Sequence, residues 1–97
     1  MVIMAVHHTP SLTQERYEAV VRRLTGGKPR LESTSDVPFD GLLAHVTGQA
    51  ADGFYVVDVF ESQAAVDAFK AALGSIPREV GIEEPPEFFP AHTFIER

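Results

Sequence analysis

The 97 residues contain no cysteine and no tryptophan, only two methionines, and eight basic side chains against fourteen acidic ones. Without cysteine there are no disulfides, thiolate metal sites or cysteine nucleophiles, and an intracellular, cytoplasmic protein is the expectation. The longest unbroken apolar run is Met1 to Val6. It is far below the roughly 20 residues of a bilayer span, and with no basic segment ahead of it, neither a membrane partner nor a secretory leader is expected. The net charge of −6 argues against a nucleic-acid partner, since phosphate binding needs a basic face. The only local basic excess is Arg16, Arg22, Arg23, Lys28 and Arg30, and it reads as the solvated face of one helix. Neither HxH nor HExxH occurs, Gly26-Gly27-Lys28 is followed by Pro29 rather than a hydroxyl residue, and no serine sits in a Gly-x-Ser-x-Gly turn. These absences remove the local signatures of a metal site, a phosphate loop and a serine hydrolase, and no metal or cofactor is expected.

What is present is the composition of one globular domain, residues 1–97, with 44% apolar and 23% charged side chains. Met1 to His8 reads as a strand ending at Thr9-Pro10. From Thr13, a good N-cap, Tyr17, Val20, Val21 and Leu24 recur at helical spacing until Gly26-Gly27. Residues 25–40 read as a long loop, proposed as a cover over a cavity mouth on the strength of Leu31 and Phe39. Gly41 to Thr47 and Phe54 to Glu61 read as strands of a hairpin turning at Asp52-Gly53. Ser62 caps a second helix with Val66, Phe69 and Leu73 on its apolar stripe, and Arg78 to Ile82 suggests a further helical turn. Phe88 to Ile95 reads as a last strand, with Pro90 suited to an edge.

The resulting order, β-α-β-β-α-β, predicts an α+β, ferredoxin-like sandwich: a four-stranded antiparallel sheet with two helices on one face. Both sheet faces are apolar, since Val2, Met4 and Val6 alternate with Ile3 and Ala5, and Phe54, Val56 and Phe60 alternate with Tyr55, Val57 and Val59. Two helices cover one face, so a homodimer packed through the other is expected.

Gly41-Leu42-Leu43-Ala44-His45-Val46, followed by Phe54-Tyr55-Val56-Val57-Asp58-Val59-Phe60-Glu61-Ser62 and the Ala-rich run to Phe69, resembles the dimeric α/β-barrel superfamily. Within it the pattern is similar to small antibiotic biosynthesis monooxygenase-like proteins. The resemblance implies two sandwiches joined into an α/β barrel. It also implies a cofactor-independent oxygenase or cyclase acting on an aromatic or polyketide-like molecule, or a non-catalytic binding or structural module. Oxygenase and haem-degrading relatives often carry a helix histidine where this chain has Phe69 and Lys70, which argues against haem degradation.

Among individual residues, Asp58 interrupts an apolar strand, so it is read either as an acid-base group in a cavity or as a structural partner of a histidine or of the Tyr17 or Tyr55 hydroxyl. His45 and His92 are the other catalytic candidates, and His7, His8, Phe54, Phe60 and Phe69 are candidates for lining a pocket. His7 and His8, adjacent on a strand end, point to opposite faces.

Overall fold

The computed structural model covers residues 1–97 and has four strands and two long helices. Strand β1 is Ile3–His7, helix α1 Gln14–Thr25, β2 Leu42–Ala50, β3 Gly53–Phe60, helix α2 Gln63–Leu73, the single-turn helix α3 Ile76–Glu79, and β4 Glu87–Pro90. The sheet order is β2-β3-β1-β4 with every neighbouring pair antiparallel, an α+β arrangement compatible with a ferredoxin-like sandwich. No helix is long and apolar enough to cross a membrane.

Local chemistry sets the helix ends. Thr13 accepts a hydrogen bond from the Arg16 amide and Ser62 one from the Ala65 amide, each satisfying an otherwise free N–H of a first turn. Helix α1 stops where Gly26 adopts the left-handed conformation, φ +77°. A different glycine is demanded by packing. Gly41 has φ +99°, and a Cβ there would lie 2.5 Å from the Ala65 Cβ on buried α2.

Strand β3 alternates strictly between buried and half-buried residues. Phe54, Val56, Asp58 and Phe60 face the helices together with Ile3 and Ala5 of β1. The core beneath the helices is divided. One cluster gathers Ile3, Ala5, Val37, Leu42, Phe60, Ala65 and Val66. The other gathers Leu12, Val20, Phe54, Val56 and Ile82. On the opposite face Met4, Val6, Val57, Val59 and Phe89 remain only partly covered, and Val46 is 60% exposed.

Three elements differ from the sequence-based expectation. Strand β2 runs on to Ala50 instead of ending at Thr47, because the hairpin's hydrogen bonds continue through polar residues that are exposed on both sides. Strand β4 ends at Pro90, after which only the Ala91 amide bonds back to the Val2 carbonyl, so His92 to Ile95 lie outside the sheet. The extra helical turn falls at 76–79 rather than at 78–82, where Ser75 and Pro77 start it. The segment 25–40 is ordered: Ser33 and Asp36 form a capping box around a short 3-10 turn, and Lys28 pairs with Asp36 at 3.0 Å. Val37 from this segment belongs to the core itself, with Leu31 and Phe39 packed against it.

Candidate functional site

A cavity of about 560 Å³ lies between the two core clusters, within the usual size range of small-molecule sites. Ala5 and Leu42 from one cluster and Leu12 and Val56 from the other form much of its wall, with Phe69 and Phe88 at the α2 side. Leu31, Val37 and Phe39 close another side, so the long loop is a wall of the cavity built into the core rather than a detached flap.

One connected set of polar groups on this wall comes from three elements. Asp58 of β3 is 7% exposed and receives a hydrogen bond from His45 Nδ1 of β2 at 2.5 Å. A carboxylate only accepts, so Nδ1 carries the hydrogen, and in the neutral imidazole Nε2 is then an acceptor. The Tyr17 hydroxyl of α1 donates to it at 2.6 Å. Asp58, His45 and Tyr17 thus form a continuous line of hydrogen bonds crossing from sheet to helix. Burial, and secondarily the Asp58 and Glu18 charges, push the Tyr17 phenol up to about 12, which keeps it protonated at neutral pH. His45 also borders a smaller recess of about 200 Å³ beside Leu31 to Thr34, giving the line a second opening.

A β-bulge places His45 here. Leu42 pairs with Phe60 and Ala44 with Val59, leaving Leu43 as an extra residue. Because faces alternate along a strand, the extra residue exchanges them, and His45 comes to lie opposite Asp58 on the helix side.

His7 borders the same cavity, and its Nε2 hydrogen bonds to the Glu84 carbonyl at 2.8 Å. Burial holds it below the ordinary histidine range, outweighing the Glu84 bond and the Glu84 and Asp58 charges, which act the other way. Glu84 itself is clasped by Ser11, whose hydroxyl and amide both bond its carboxylate; this holds the carboxyl below the usual range.

The remaining candidates are elsewhere. His8 lies flat against Tyr55, ring centroids 3.7 Å apart, with Nδ1 3.2 Å from the Phe54 carbonyl. His92 is exposed and bonds only to Thr93. Phe54 and Phe60 are buried inside the two clusters and do not reach the cavity, whereas Phe69 lines it. Tyr17 was legible only as a helix-stripe residue and a bonding partner for Asp58, although it is the one stripe position with a polar tip. Ser11 and Glu84 carried no sequence signal, since 73 residues separate them. No three His, Asp or Glu side chains converge as a metal-binding group. No protein-family model, curated protein or solved structure matches the chain.

Proposed function

We propose that this chain binds a small, largely apolar or aromatic molecule in the divided core, and that the Asp58–His45–Tyr17 line engages an oxygen of that molecule and moves a proton. The observation that carries this reading is a carboxylate, an imidazole and a phenol bonded in series on a predominantly apolar wall. Such a site supplies positioning and acid-base chemistry from side chains alone. The likeness of the β3–α2 pattern to antibiotic biosynthesis monooxygenases supports cofactor-free oxygenation or cyclisation of a polyketide-like substrate. In the oxygenase form, an anthrone CH₂ loses its proton, molecular oxygen takes up the electrons, and C=O and water result.

The test is oxygen uptake with an anthrone. Turnover that falls in Asp58→Asn, His45→Gln and Tyr17→Phe supports the reading, and turnover that survives all three removes these groups from the chemistry. The rival reading is a non-catalytic binding module. One observation favours it: every polar group of the line is already bonded internally, as a structural anchor requires. Binding of the anthrone without turnover would select it.

We further propose a homodimer in which two sheets pack through the face bearing Met4, Val6, Val57 and Val59, joining two sandwiches into an α/β barrel. An apolar face of this kind suits a self-complementary twofold contact. Sedimentation equilibrium should give a dimer at micromolar concentration and a monomer for Val57→Asp. A monomeric native chain would overturn the assignment.

A further inference from the structure

We propose that His7 is a general base of the cavity, acting through Nδ1 while the Tyr17 hydroxyl holds the oxygen of the same bound molecule, so that the chain speeds enolisation of a small aromatic ketone without oxygen. This rests on the reading of the cavity as a site for such molecules and adds a residue and an activity to it.

The geometry begins with register. Ala5 pairs with Asp58 and His7 with Val56, so His7 lies two residues along β1 on the same sheet face as the carboxylate, and both border the cavity. The Glu84 carbonyl 2.8 Å from Nε2 can only accept, so the neutral ring carries its hydrogen on Nε2 and leaves a bare lone pair on Nδ1. That tautomer is fixed from behind. The Glu84 carboxylate accepts from the Ser11 amide at 3.2 Å and from the Ser11 hydroxyl, and Ser11 Oγ accepts from the Glu83 amide at 2.8 Å.

Nδ1 has no hydrogen-bond partner, and it is not enclosed, because Thr9 Oγ1 is the one buried side-chain polar atom left without a partner. His45 differs, having one ring nitrogen committed to Asp58 and the other to Tyr17. Of the two histidines on the cavity wall, only His7 therefore has a lone pair to offer a substrate. The two environments also act in opposite senses: burial disfavours the protonated form of His7 and the ionised form of Tyr17. A free base and a loaded donor on one cavity are the division of labour that proton abstraction beside a carbonyl needs.

In the step itself, Nδ1 takes the proton from the carbon next to the ketone. The C–H pair becomes the enolate double bond, and the carbonyl pair moves onto oxygen, to which the Tyr17 hydroxyl turns its hydrogen from His45. Reversal after exchange of the Nδ1 proton with solvent returns solvent hydrogen to the carbon.

The experiment uses 2-tetralone as probe, in deuterium oxide under nitrogen, following loss of its C1 proton signal by NMR and its binding by fluorescence titration. The wild-type chain is expected to accelerate exchange. His7→Gln, whose amide can keep the bond to the Glu84 carbonyl, should lose about 10²-fold of that acceleration with binding unchanged. Added imidazole should restore exchange to His7→Ala, which a merely structural histidine would not show. Tetralone that binds without faster exchange overturns the proposal and leaves the cavity reading standing. Exchange retained in His7→Gln but lost in His45→Gln overturns it in favour of the His45 line. Absence of binding removes both.

Discussion

Replacing His45 by leucine should be among the most destabilising single changes to the sheet, and the reason lies in Asp58. The carboxylate is 7% exposed, and its only side-chain partner is His45 Nδ1. Removing the only side-chain donor to a buried acceptor costs about 1–3 kcal/mol, and more when that acceptor is charged, because it is left desolvated without a partner. Here the stranded group is a carboxylate that borders an open cavity, so about 3 kcal/mol is expected. Tyr17→Phe, which deletes a hydroxyl at the far end of the line, should cost only about 1 kcal/mol. The decisive variant is the double substitution His45→Leu with Asp58→Val. With both polar groups gone and apolar side chains in their place, stability should return to within about 1 kcal/mol of the native chain, a large favourable coupling. Urea unfolding of the native chain, Tyr17→Phe, the His45→Leu and Asp58→Val singles and the double variant measures this at neutral pH. A His45→Leu cost below about 1 kcal/mol, or a double variant as unstable as the sum of the singles, would refute the argument that Asp58 depends on His45.

Other consequences can be measured independently. Gly41→Ala combines a positive φ with a 2.5 Å approach to Ala65, and thermal unfolding should show a loss of more than about 2 kcal/mol. Phe60→Ala empties a fully buried position and should cost about 3–5 kcal/mol by urea unfolding. His7 lies below its ordinary value of 6.5 in the folded chain. The unfolded chain therefore binds more protons as pH falls through about 6.5, and native stability should drop on acidification from this group. His7→Gln should flatten the stability profile between about pH 7.5 and 5.5, and an unchanged slope there would count against the assignment. Alkaline ultraviolet titration should place Tyr17 ionisation near 12, and Tyr17→Phe should remove that step.

Much of the fold is legible because it rests on local rules. Thr13 and Ser62 announce their helices through side-chain oxygens that cap the first turn, and Gly26 ends α1 through a conformation that other residues resist. The alternation from Phe54 to Phe60 marks a strand with one buried face. Asp58 is conspicuous for the same reason, as a charge in an apolar run. The partners of Asp58 are another matter. His45 reaches it through an irregularity at Leu43, and an extra residue in a strand has no signature in Gly41-Leu42-Leu43-Ala44. His92 looks equivalent to His45 in sequence, yet the sheet ends at Pro90 and leaves it with solvent and Thr93. The role of residues 25–40 is hidden because Val37 is apolar in a stretch whose composition is otherwise that of a loop, and only tertiary packing distinguishes a wall from an insertion.

The bulge at Leu43 makes the site depend on whether a count is odd or even. Deleting that one residue would leave Leu42, Ala44 and His45 in plain alternation, with Leu42 still opposite Phe60 and His45 still opposite Asp58 on the helix side. Deleting both Leu43 and Ala44 would instead set His45 directly after Leu42 and turn it to the outer face, stranding Asp58 within. Loss of the bulge residue alone is thus silent for the His45 line, and loss of a second residue beside it is a digital off switch. Sequences sharing this architecture can gain or lose an inward imidazole by drift in strand length alone, with no exchange of one amino acid for another.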